Sequence, residues 1–161
     1  MFNLELLNAK ERKRLIAQLE KQFGCGAEPL RPYALLLNES SGRISIVNED
    51  VLELDLRGLH ADAVGLYLGT KLANGEVRLS IEGSQLLGPH STRNVLDLTD
   101  ENFFHWIRGR AVEKETDLKG FVILRHGQDY CGCGKPVLDE KSQRVAIHNY
   151  IPKTRYVRSE D

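Results

Sequence analysis

Cysteine is scarce in this sequence, long apolar runs are missing, and neither sign of charge dominates. The three cysteines, Cys25, Cys131 and Cys133, are an odd number without framework spacing, which argues against a disulfide-built secreted domain. No apolar stretch approaches the roughly 20 residues that a bilayer span requires. The opening, Met1 to Glu5, lacks the basic and apolar regions of a secretory signal. The expectation is therefore a soluble cytoplasmic protein, in which the sequon Asn38-Glu39-Ser40 carries no weight. Lys and Arg number 22 against 23 Asp and Glu, a net charge of -1, which excludes a globally basic coat protein and an acidic disordered tail. A local basic patch is still compatible with that total. With 161 residues there is room for one ordinary domain or two small ones, with a core that needs no disulfide or metal staple.

Helix signals come first along the chain. Leu15, Ile16, Leu19 and Phe23 recur at helical spacing, with Leu4 and Leu7 upstream. Asn8 and Glu11 suit a capping box, and Gly24 is a natural stop. Lys10, Arg12, Lys13, Arg14 and Lys21 fall on the polar side, as a solvated face or a face that touches RNA. Residues 33–37 and 43–47 flank a Gly-containing loop and read as a hairpin. Val51 to Leu56 alternates like a strand but also suits a short helix after Asn48. Val64 to Leu72 and Glu76 to Leu87 read as two strands around Ala73-Asn74-Gly75, and Gly88-Pro89 breaks the pattern.

Beyond the break, Asn94 to Leu98 is a short strand and Thr99 caps a helix whose Phe103, Trp106 and Ile107 share a face. Phe121 to Leu124, Tyr130 to Val137 and Val145 to Ile151 are further strands. The expected fold class is α+β: a small α+β domain over residues 1–90, then a mostly-β barrel over 91–161.

Enzyme signatures are missing. There is no phosphate-binding loop, no dinucleotide fingerprint and no nucleophile elbow. Cys131 and Cys133 with Cys25 and His126 are a thin zinc set, because the spacing is short and no second pair exists. In a regular strand the two cysteines share one face and act as small buried hydrophobes. No thiol has a neighbour in sequence that visibly lowers its pKa, so a nucleophile paired with His126 or His148 is not expected. His60, His90 and His105 read as surface or satisfied core residues. No cofactor, metal site or catalytic residue is expected.

Charge is more informative than motif. Up to residue 90 there are ten Lys and Arg against twelve Asp and Glu; beyond it there are twelve against eleven. From Lys141 to Arg158 five basic residues, Lys141, Arg144, Lys153, Arg155 and Arg158, run without an acid. Such a segment suits phosphate neutralisation, and Tyr150 and Tyr156 within it suit either stacking on bases or the core.

Three stretches carry a family likeness. Residues 120–127 (GFVILRHG), 131–135 (CGCGK) and 147–153 (IHNYIPK) resemble the PUA-like RNA-binding domain, a small β-barrel attached to RNA-modifying enzymes. The nearest flavour is the PUA-like tail of the RsmF-type rRNA cytosine-C5 methyltransferases, matched at Gly132, Gly134, Asn149, Pro152 and Lys153. Residues 44–52, 66–70 and 76–81 resemble the pre-PUA domain of a two-domain ribosome-assembly family. These likenesses imply RNA contacts from Lys135, Lys153, Arg155 and Arg158, with Gly132 and Gly134 lining an RNA groove or relieving crowding at a bend. Arg108 and Arg110 form a second tier, with Phe104 as a candidate stacking residue. The methyltransferase catalytic domain has no counterpart in these residues, so neither Cys131 nor Cys133 inherits a methylation role.

The resulting expectation is a non-catalytic binder of structured rRNA or tRNA, in ribosome assembly or RNA modification. Its partners would be RNA, within a pre-ribosomal particle or beside an RNA-modifying enzyme, and no membrane. The alternatives are an RNA-modification enzyme or accessory subunit, and a protein–protein adaptor in a pre-ribosomal particle.

Overall fold

Asn8 sets the first boundary. Its side-chain oxygen accepts from the Glu11 N–H at 2.9 Å, and the Glu11 carboxylate accepts from the Asn8 N–H at 2.8 Å. This reciprocal box starts α1 (Ala9–Phe23), which ends at Gly24 with φ +63°. Leu15, Leu19 and Phe23 form its buried face. A computed structural model describes residues 4–55 and 63–158 of the chain. The expectations that involve residues 1–3, Leu56 and His60 lie outside the described residues.

Leu4 and Leu7 do not extend the helical stripe. The cap holds Asn8 extended, so β1 (Leu4–Leu6) precedes the helix and pairs antiparallel with β2 (Tyr33–Asn38). β2 and β3 (Arg43–Asn48) form the expected hairpin, closed where the Asn38 side chain accepts from the Ser41 N–H. The run from Val51 is neither strand nor α-helix: Glu49–Glu53 is a 3-10 turn with Leu52 and Leu54 exposed. β4 (Leu66–Lys71) and β5 (Val77–Leu79) complete a sheet of order β1-β2-β3-β4-β5, all antiparallel.

The strand expected from Glu76 to Leu87 stops at Leu79. Ser80 accepts from the Gly83 N–H at 2.9 Å and starts α2 (Ile81–Leu87). A Cβ at position 83 would stand 2.0 Å from the Leu68 carbonyl oxygen, so glycine lets α2 sit directly on β4. Gln22 supplies an unforeseen link. Its buried amide donates to the Val77 carbonyl at 3.0 Å and accepts from the Val77 N–H at 2.8 Å, tying α1 to β5 as a neighbouring strand would.

The second sheet is built from β6 (Val95–Asp97), β7 (Val112–Glu113), β8 (Val122–His126), β9 (Asp129–Asp139) and β10 (Arg144–Asn149), in the order β6-β8-β9-β10-β7. β6 runs parallel to β8; the other pairs are antiparallel. The expected barrel is not closed. The two edge strands, β6 and β7, are three and two residues long and do not pair with each other. α3 (Asp100–Trp106), capped by Thr99, closes the space instead. Fully buried Trp106 packs there with Leu96, Val122, Leu124 and Ile147.

The larger core draws on both sheets. Leu19, Phe23, Leu68 and Val77 cluster with Phe121, Ile123 and Cys133, across the point near residue 90 where the sequence suggests a boundary. Among the described residues no helix is long and apolar enough to cross a membrane.

One irregularity shapes β9. The register runs Ile123 opposite Cys133 but Arg125 opposite Tyr130, so Cys131 and Gly132 together face Leu124. Gly132 has φ +89°, a conformation that glycine adopts without strain. This bulge cancels the strand alternation. Cys131 therefore enters the Trp106 cluster while Cys133 enters the larger core, and the two do not share a face as a regular strand would require. The bulge backbone is satisfied: the Trp106 indole N–H donates to the Cys131 carbonyl at 2.8 Å, and the Gly132 N–H donates to Ser84 Oγ at 2.8 Å.

Candidate nucleic-acid interface

The bulge brings β9 against the start of α2 and leaves a cleft of about 140 Å³ between the two sheets. Tyr67 and Arg78 line it from the first sheet, and Gly132, Tyr150 and Arg155 from the second part of the chain. The Arg78 guanidinium carbon lies 4.7 Å from the centre of the Tyr150 ring. Tyr150 in turn meets His148 at 4.6 Å and the edge of Phe121 at 5.8 Å between ring centres. Lys135 Nζ lies 5.4 Å from the Phe121 ring centre. On the other wall, Arg43 rests on Tyr67, 3.9 Å from its ring centre.

These cations are held on rings rather than on carboxylates. Among the described residues, Arg43, Arg78 and Lys135 have no acidic side chain at ion-pair distance. A cation on an aromatic face is positioned but keeps its full charge, so it remains available to an incoming anion. Other arginines are neutralised: Arg125 makes a two-pronged contact with Asp97 at 2.6 and 3.0 Å, which holds the Asp97 carboxyl below its usual range.

The residues named from sequence fall in different places. Lys153 and Arg155 occupy a 3-10 turn directly after Pro152, and both are exposed, as is Arg158. Arg155 reaches across to Glu82 of α2 at 2.6 Å, so the cleft's own acid holds it. Lys135 lies on β9 opposite His148. Gly132 forms part of the cleft wall. Gly134 is buried: a Cβ there would stand 2.5 Å from Ile147 and 2.8 Å from Trp106, so its smallness serves packing. Arg108 folds back over exposed Phe104 at 3.5 Å and donates to the Phe104 carbonyl, and its Nε is buried without a partner. Arg110 contacts His105 Nδ1 at 2.8 Å. On α1, Arg12 turns inward and donates to the Leu30 and Tyr33 carbonyls.

The run from Lys141 to Arg158 is not one patch. Lys141 and Arg144 lie at the β9–β10 turn, and Arg144 pairs with Glu113 at 3.2 Å. Lys153 and Arg155 lie beyond the other end of β10, about 20 Å away at strand rise.

The cysteines are buried and free. Burial pushes the Cys131 thiol up to about 11 and the Cys133 thiol up to about 12, so both stay protonated at neutral pH. Among the described residues no group of three or more His, Cys, Asp or Glu is placed to hold a metal.

Sequence reasoning named neither Arg43 and Arg78 nor Tyr67. Each sits singly in a strand, and the signal that would reveal them, an arginine beside a ring, exists only across strands and sheets.

Residues 93–155 match the family model described as the Methyltransferase RsmF PUA domain. The C-terminal part of the chain thus carries a PUA-like domain, and this kind of domain is a general RNA-binding module. The match does not include Arg43, Tyr67 or Arg78. No curated protein matches the chain.

Proposed function

We propose that this protein is a non-catalytic RNA-binding protein that recognises structured rRNA or tRNA, in ribosome assembly or RNA modification. The observation that carries the reading is a set of ring-held, acid-free cations on a face that adjoins a PUA-like domain. Phosphate contacts from Lys135, Lys153, Arg155 and Arg158 position the RNA, while shape and unpaired bases supply discrimination. The protonated, buried cysteines favour a binding role over a thiol-dependent one.

Titration of folded rRNA and tRNA fragments at several salt concentrations tests this. The expected result is binding whose affinity falls steeply with salt. Absence of binding to any structured RNA at low salt would refute it. Incubation with labelled adenosyl-methionine and RNA tests the non-catalytic part, which methyl transfer by the purified chain would overturn.

A further inference from the structure

We propose that the cleft between the two sheets holds a single unpaired nucleotide, so that the first sheet supplies half of the RNA site. The inference rests on the RNA-binding reading and extends it to a nucleic-acid form and to residues outside the PUA-like domain.

Size is the first argument. At about 140 Å³ the cleft is well below the 300–1,000 Å³ of pockets that enclose larger ligands, and it suits one planar group. A duplex groove or a folded helix end cannot enter it; one base displaced from its stack can.

Composition is the second. Tyr67, with Arg43 behind it, and the Arg78 guanidinium, with Tyr150 behind it, both line the cleft. Aromatic rings and guanidinium planes are the surfaces on which splayed-out RNA bases stack. Arg78 also carries a charge with no acid to offset it, which suits the phosphate linked to that base. Arg155 supplies a second charge at the rim once phosphate displaces Glu82.

The lining has few free hydrogen-bonding groups for reading base edges. Ser80 Oγ donates to the Tyr67 and Leu68 carbonyls and accepts from the Gly83 N–H, and the Tyr67 hydroxyl is engaged by Thr70. Stacking with little edge readout tolerates any base. The cleft should therefore distinguish unpaired from paired RNA and be nearly indifferent to sequence.

The test compares fluorescently labelled oligouridine with a blunt RNA duplex, using wild type, Arg78→Ala, Tyr67→Leu and Tyr67→Phe. Arg78→Ala and Tyr67→Leu should each weaken oligouridine binding about tenfold and change duplex binding less than twofold. Tyr67→Phe should bind like wild type, since it keeps the ring. Equal losses for both RNAs, or unchanged oligouridine binding, would overturn the proposal while leaving general RNA binding intact. Wild type that binds neither RNA would remove both readings. Photocrosslinking of 4-thiouridine RNA to the unmodified protein keeps the test independent of variant folding: crosslinks at the cleft residues support the proposal, and crosslinks confined elsewhere refute it.

Discussion

The two ends of β10 belong to one uninterrupted basic run in the sequence, yet they differ in almost everything else. At the Arg144 end the strand leaves a turn, Val137 and Leu138 are about half exposed, and Arg144 leans on Glu113. At the Asn149 end the chain is gripped. The Asn149 amide donates to the Trp106 and Arg110 carbonyls at 2.7 and 3.0 Å, Ile151 is buried, and the Val157 N–H donates to the Ile107 carbonyl. Basic residues at the first end decorate a hairpin tip. At the second, the fold fixes them beside a cleft and an aromatic platform. Charge adjacent in sequence is thus divided by the length of a strand, and only one portion has the rigid support that a specific site requires.

The sharpest way to break this contrast is mechanical. Trp106→Ala at the gripped end should cost about 3–5 kcal/mol, because it empties a fully buried site and frees the Cys131 carbonyl. Leu138→Thr at the tip should stay within about 0.5 kcal/mol. Urea denaturation of both variants measures the difference.

Charge removal comes next. Lys153, Arg155 and Arg158 changed together to Ala should weaken RNA binding by about tenfold or more. The slope of log affinity against log salt should become shallower by about 2 for single-stranded contacts. Lys141 and Arg144 changed together should leave affinity within about twofold. Matching losses from the two sets would erase the distinction between the ends.

A smaller effect concerns pH at the bulge. The unfolded thiols titrate near 9.0, whereas burial raises Cys131 to about 11 and Cys133 to about 12. The folded state therefore holds its thiol protons more tightly. Its stability contribution is intact below pH 9 and is lost as pH rises from 9 towards 12. Thermal melts should shift downward over that window, and replacing both cysteines with Ala should flatten this part of the pH dependence.

The smallest expected effect is at the rim of the cleft. Glu82→Gln releases Arg155 from a half-exposed ion pair of the kind worth about 0.2–1 kcal/mol. RNA affinity should rise by a few-fold at most, measured by anisotropy at low salt. A fall in affinity would show that Glu82 positions Arg155 rather than competing for it.

Much of the local structure was legible in the residues. The capping pair Asn8 and Glu11, the cap at Thr99 and the loop from Asn38 to Gly42 act over three or four positions, so their side chains and backbone partners are neighbours in sequence. α2 was harder. Val77, Leu79 and Ile81 alternate like a strand, and the decisive feature, Gly83 under the Leu68 carbonyl, depends on a sheet neighbour. The bulge was illegible for a related reason: Cys131-Gly132-Cys133 has strand spacing, and only pairing with β8 reveals the extra residue. Of the candidate site, Lys153 and Arg155 were found from charge and the preceding proline, while Gly134 proved to be a packing residue.

By itself the sequence determined the helix starts, the hairpins and the presence of a basic end, because each follows from propensity, capping or composition over a few residues. Tertiary structure alone decided which cations are free. Arg78 is acid-free because it rests on Tyr150, 72 positions away in the chain, and Arg155 is restrained because Glu82 reaches it from α2. Availability of charge is a property of neighbours in space, and folding chooses those neighbours.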